Sequence, residues 1–211
     1  MSRPVHPSVI HIKGMDLAGK STATTYLVAE GSRTLQRNSL AGNNRSYEAA
    51  DQLRRDGASA DRLAQLYVDA VAYDLDHLPT DSARVQDSTI LLRSMAFNAA
   101  LGFDQFVADF EALVPRHPIF GITIVLTATI EARIGRLAER QRLASEEVAP
   151  DDLMVLSKPE LFTQMEKNLL GFASTYFGAV ELDTSELSKV DVQDRLRQLI
   201  HEHAWSSQGL T

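Results

Sequence analysis

The chain has 211 residues, with 21 Lys and Arg against 28 Asp and Glu, no cysteine and 44% hydrophobic residues. That composition excludes wholesale disorder, a disulfide framework and a thiolate metal site, and the net charge of −7 weighs against a broad basic surface for nucleic acid. No apolar run approaches the roughly 20 residues that span a bilayer, and Met1 to Pro7 carries no apolar leader, so the expectation is a cytoplasmic protein with neither membrane nor nucleic acid as a partner.

Ser8 to Ile12 is short and β-branched and stops at Lys13-Gly14, the pattern of a buried strand. Lys20 to Glu30 reads as a helix ended by Gly31. Thr34 to Leu40 is a weaker strand, diluted by Gln36, Arg37 and Asn38, and Ala41 to Arg45 is a turn or loop. From Ala60 to Leu78, Leu63, Leu66, Tyr67, Ala70, Val71 and Leu75 recur at helical spacing. Ser82 to Gln86 predicts a short strand ending at Asp87-Ser88, and helices follow over Ile90 to Leu101 and Phe103 to Val114. Ile119 to Leu126 has almost no polar break, as in strands of a parallel sheet covered on both faces.

Glu131 to Arg142 is a charged helix, followed by a polar stretch through Asp152. Pro159 to Phe177 is a long amphipathic helix, Ala179 to Leu182 a last strand and Val190 to His203 a closing helix. Strands alternate with helices, and no repeat or linker interrupts them. The prediction is an α/β three-layer sandwich, a mostly parallel five-stranded sheet flanked by helices, in one domain over residues 1–211 with a lid segment near 136–152.

Gly14-Met15-Asp16-Leu17-Ala18-Gly19-Lys20-Ser21 fits G-x-x-x-x-G-K-[ST], with a strand before it and a helix after. Its glycines let the chain turn tightly and bring backbone N–H groups against phosphate oxygens. Lys20 reaches the β and γ phosphates, and the Ser21 hydroxyl can ligate Mg²⁺. The helix opening at Lys20 points its positive end at the anion. ATP and Mg²⁺ are therefore the expected cofactors.

Phosphoryl transfer needs Mg²⁺, positive charge around the transferring group, a placed acceptor and exclusion of water. Asp87, at the carboxyl end of a predicted strand, is placed to hold a Mg²⁺ water or orient an acceptor, with helix capping as the competing role. Arg133, Arg136 and Arg140 share a helix face, with Arg142 just beyond. A mobile segment carrying them can close over phosphates, the alternative being a solvated face paired with Glu131 and Glu139. Asp16 sits inside the loop, awkward beside phosphate unless it accepts a hydrogen bond from an acceptor hydroxyl. Arg37, at the end of the weak strand, is a candidate for binding the acceptor. His201 and His203 read as surface, and Asn44-Arg45-Ser46 matches a glycosylation acceptor that means nothing without a secretory signal.

With these residues in view, the chain resembles the thymidylate kinase family of P-loop nucleotide kinases. The loop from Gly14 through Thr22 is close to that family's form, including the acidic third position. Gln86-Asp87-Ser88 and Arg93-Ser94-Met95-Ala96-Phe97-Asn98 resemble the family's Asp-Arg segment and its downstream Ser, Ala and aromatic. Leu126 onward resembles the strand and lid, and Glu181 to Ser185 the last strand. The resemblance implies a kinase for a small-molecule acceptor, a nucleoside monophosphate or relative. It implies catalytic roles for Lys20, Asp16, Asp87, Arg136 and Arg140, acceptor contacts from Arg37, Arg93, Tyr67 and Phe97, and a homodimer through an apolar helix face.

Three departures touch acceptor recognition. Ser88 stands where the family has Arg, the Arg-Glu-Pro-Gly segment is reduced to Arg37-Asn38-Ser39-Leu40, and Leu66 to His77 carries no Arg. Arg93 can stand in for a missing cation. Otherwise the acceptor is an altered nucleotide, a nucleoside, a sugar or another hydroxylated metabolite. A non-catalytic NTP-binding regulator is a second reading, and an ATP-powered nucleic-acid enzyme a third that lacks the basic surface it needs.

Overall fold

The computed structural model describes residues 2–143 and 152–208. The elements run β1 (Val5–Gly14), α1 (Lys20–Gly31), β2 (Thr34–Arg37), α2 (Arg45–Arg55), α3 (Ala60–Asp76), β3 (Arg84–Asp87), α4 (Ile90–Ala100) and α5 (Asp104–Glu111). Then come β4 (Ile119–Thr127), α6 (Ile130–Leu143), α7 (Met154–Ser157), α8 (Pro159–Phe177), β5 (Val180–Asp183) and α9 (Lys189–Gln208). The sheet order is β2-β3-β1-β4-β5 and every neighbouring pair is parallel, so the sheet is wholly rather than mostly parallel.

Side chains alternate between two cores. Val9 packs with Leu91, Met95, Phe162 and Leu169 toward α4 and α8, while Ile10 and Ile12 pack with Leu27, Leu196 and Leu199 toward α1 and α9. His11 and Lys13 follow Val9 at intervals of two and so share the α4 face. The registers align the carboxyl ends of the strands: Arg37 faces Asp87, Gly14 faces Leu126 and Thr127 faces Asp183. Open α/β sheets bind ligands at this edge.

Several boundaries differ from expectation for local reasons. α1 runs through Gly31, and Ser32 takes the left-handed turn at φ 47°. β2 stops at Arg37 because Asn38 turns out at φ 55° and the chain beyond is captured by α3. Buried Asp74 accepts hydrogen bonds from Ser39 Oγ (2.6 Å), Leu40 N (2.7 Å), Ala41 N (3.2 Å) and Asn44 Nδ2 (2.8 Å). Helix α2 is missing from the sequence reading. It buries Ala50, and its scarcity of apolar residues masks a pattern that does recur at helical spacing. Its start is marked by Asn44, whose side chain accepts from Tyr47 N at 3.0 Å as an N-cap. Of the expected lid, residues 144–151 lie outside the described residues.

Beneath the sheet, His11 and His117 are buried against Phe120, with ring centroids 4.8 and 5.6 Å from it. Burial holds His11 well below its ordinary range and His117 at about 3, with Arg3, His6 and Lys13 pushing His117 the same way and its bond to the Pro118 carbonyl opposing. Both rings fold neutral and take up a proton on unfolding below pH of about 6.5. Proton uptake by the unfolded state lowers stability as pH falls. Unfolding free energies from urea titrations are expected to drop between pH 6.5 and 4, by up to about 1.4 kcal/mol per pH unit per histidine. His117→Phe should flatten that slope; an unchanged slope would place the acid sensitivity elsewhere.

Candidate active site

The chain leaves β1 at Gly14 so close to β4 that a Cβ there would lie 2.5 Å from the Leu126 carbonyl oxygen. Leu17 (φ 64°) and Gly19 (φ 90°) then turn it through left-handed backbone before α1 begins. Around Gly19 a Cβ would meet nothing within 4 Å, so glycine answers to φ there rather than to crowding. Ala18 N closes the turn onto Met15 O at 3.4 Å. Lys20 Nζ folds back over the loop, donating to Met15 O at 2.9 Å and lying 3.7 Å from Asp16. Burial pulls the Lys20 ammonium below its ordinary value, and Asp16 opposes this. Burial pushes the Asp16 carboxyl up, but Lys20, Arg93, Arg133 and Lys13 together outweigh it and hold Asp16 ionised below its ordinary value. Exposed Ser21 and half-buried Thr22 stand on the first turn of α1.

From behind, α6 grips this loop. Arg133 is fully buried and donates to the Asp16 and Ala128 carbonyls and to Glu166 of α8, its Ala128 bond measuring 2.9 Å. Arg136 donates to Leu17 O at 2.8 Å, to Thr184 Oγ1 at 3.1 Å and to the Thr184 carbonyl. Thr184 Oγ1 also lies 3.1 Å from Ala18 O, joining the end of β5 to the loop. The solvated-face alternative for these arginines is therefore overturned for Arg133 and Arg136. Arg140 instead pairs with Asp152 at 2.8 Å.

On the other side of the loop, Asp87 ends β3 with its side chain 3.9 Å from the exposed Arg37. The N-cap of α4 is Thr89, not Asp87, so the capping alternative for Asp87 fails. Arg93 lies 3.7 Å from Asp16 and also lines a cavity of about 330 Å³. Tyr67 and Phe97 line the same cavity, so of the four expected acceptor residues three converge there and Arg37 stays beside Asp87.

Sequence reasoning missed much of this wall. Tyr47, Asp51 and Arg54 come from α2, and Met154 and Met165 from α7 and α8. Arg54 donates to Asp51 one turn back on the same helix at 3.0 Å, and burial with Asp51 nearby pushes the Tyr47 hydroxyl up to about 12. The Asn44 cap was the signal that places these residues on a helix. In the sequence Lys13 only ends an apolar run. It is 1% exposed and donates to Thr89 O at 3.0 Å.

Among the described residues no three His, Asp or Glu side chains gather as a metal cage. Mg²⁺ held by one or two protein oxygens and completed by phosphate oxygens needs no such cage, and the hard oxygen donors Ser21 and Asp87 suit it. No helix among the described residues is long and apolar enough to cross a membrane.

A parallel sheet in the order β2-β3-β1-β4-β5, with a phosphate-type loop between β1 and α1, is a P-loop kinase-like α/β fold. Solved structures share it. Thymidylate kinase from Candida albicans superposes with a TM-score of 0.65 at 14% identity, covering 97% of this chain and 94% of its own. Deoxyadenosine kinase from M. mycoides with bound dATP superposes at 0.63 with 16% identity, covering 92% and 99%. The sequence itself matches no protein-family model and no curated protein.

Proposed function

We propose that this chain is an ATP-dependent small-molecule kinase that transfers the γ-phosphoryl group of ATP to a nucleoside monophosphate. The observation that carries this reading is Arg93, whose guanidinium lies 3.7 Å from Asp16 of the loop while lining the cavity with Tyr67 and Phe97. One cation thus links a phosphate cradle to an aromatic-walled cavity able to hold a purine or pyrimidine ring.

In the transfer, an acceptor phosphate oxygen bonds to the γ-phosphorus as the bond to the β–γ bridging oxygen breaks and ADP leaves. The loop N–H groups and Lys20 bind the donor phosphates, so Lys20 exchanges its bond to Met15 O for phosphate oxygens. Ser21 and Asp87 would hold Mg²⁺, which would supply neutralising charge to the triphosphate. Ionised Asp16 orients Lys20 and Arg93, which face it from either side. Arg37 and Arg93 hold the acceptor phosphate. Arg140 supplies charge from the lid side, and Arg136 supports transfer by fixing Leu17 O and Thr184.

The test is ADP release from Mg·ATP against nucleosides, nucleoside monophosphates and unrelated alcohols. ADP formed with monophosphates supports the reading. Preference for a nucleoside would reassign the acceptor as unphosphorylated, and bound nucleotide with no acceptor-dependent ADP would make the protein a regulator. Asp87→Asn is expected to lower kcat about 100-fold while changing stability by less than about 1 kcal/mol, since its pairing with exposed Arg37 is weak. Wild-type kcat in that variant would remove Asp87 from the chemistry.

A further inference from the structure

The junction between loop and cavity holds more positive charge than the sequence motifs account for. Lys13 points from β1 toward α4 and is 1% exposed, and among the described residues its one hydrogen-bond partner is the Thr89 carbonyl at 3.0 Å. An ammonium carries three donors, so two are left for other partners. Thr89 is the N-cap of α4, yet its side chain caps nothing. It is 2% exposed, its Oγ1 has no hydrogen-bond partner, and it lines the cavity beside Arg93. The first N–H groups of α4 open at the same point, presenting the positive end of that helix.

A buried ammonium beside a helix N-terminus is electrostatically unfavourable without an anion. Burial pulls Lys13 well below its ordinary value, Arg93 and Lys20 push it the same way, and only Asp87 and Asp16 oppose. Both carboxylates already face other cations, Asp87 with Arg37 and Asp16 with Lys20 and Arg93.

We infer that the N-terminus of α4 is a subsite for the acceptor's own phosphate, in which Thr89 Oγ1 contacts the phosphate and Lys13, clamped to the Thr89 carbonyl, is the positioning residue that sets this contact and makes the subsite select an anion. This rests on the kinase reading above for the identity of the acceptor, but binding alone tests it. Ser88 then needs no arginine in its place, because charge reaches the acceptor from the strand below.

The decisive experiment measures Kd for a nucleoside and its 5′-monophosphate, without ATP, in the wild type, Lys13→Met and Thr89→Val. Wild type is expected to prefer the monophosphate, and both variants to lose about 10- to 100-fold of that preference while binding the nucleoside as before. In Thr89→Val, whose side chain lies outside the donor loop, KM for ATP should move less than about twofold while KM for the monophosphate rises. Lys13→Met is expected to keep or raise Tm, because it removes a buried charge and keeps the volume. A wild type without monophosphate preference, or equal losses for both ligands in the variants, overturns the inference. The kinase reading fails separately, by absence of acceptor-dependent ADP while the binding preference persists.

Discussion

Lys20→Ala is expected to reduce ADP formation by about 10³-fold while leaving the fold in place. The side chain that is lost contributes one hydrogen bond, to Met15 O at 2.9 Å, and one ion pair, to Asp16 at 3.7 Å. Asp16 keeps Arg93 at 3.7 Å and the nearby Arg133, so no carboxylate is stranded and the stability change should stay near 1 kcal/mol. What disappears is the charge proposed to meet the donor phosphates. Steady-state rates alongside thermal unfolding separate the two effects. Full activity in this variant would end the proposed mechanism.

The second large effect concerns stability. Arg133→Ala should destabilise the protein by about 3–5 kcal/mol and lower Tm by roughly 10 °C. Arg133 is fully buried and ties α6 to the Asp16 and Ala128 carbonyls and to Glu166, so truncation leaves Glu166 uncompensated and opens a cavity beside Phe162. Burial already pushes the Glu166 carboxyl up, with Arg133 opposing; without the arginine it will fold protonated or not at all. Removing both charges in Arg133→Met with Glu166→Leu should recover most of the loss, because matched apolar side chains need no counterion. A single-variant loss below about 1 kcal/mol would show the pair to be dispensable. Weaker ATP binding should accompany the single substitution, since the loop carbonyl of Asp16 loses its brace.

These arginines show how far a sequence can be read. The three-residue spacing of Arg133 and Arg136 correctly put them on one face of α6, but two opposite fates fit that spacing, a solvated face or a mobile lid. The fold overturns the solvated face for both. Both side chains are anchored on residues more than a hundred positions away, at Asp16 and Leu17. Asp87 illustrates the same limit at the end of a strand, where its pairing with Arg37 follows from the parallel register of β2 and β3.

What the sequence determined by itself was local: the hydrophobic runs of the sheet strands, the periodicity of α3 and α8, and the loop from Gly14 to Ser21, whose turn depends on contiguous backbone. Such features are encoded within a dozen residues and survive any arrangement of the rest. Tertiary structure alone decided the cavity, which draws Tyr47 and Arg54 from a helix with few apolar residues and Met165 from a helix more than a hundred positions further along the chain. It also decided the fate of Lys13. In sequence this residue is a charge that ends an apolar run; in the fold, the two-residue alternation of β1 and the packing of α4 seal it against Thr89. The physical reason is that burial and counter-charge belong to pairs of distant residues, and only the register and packing that bring them together set their energies.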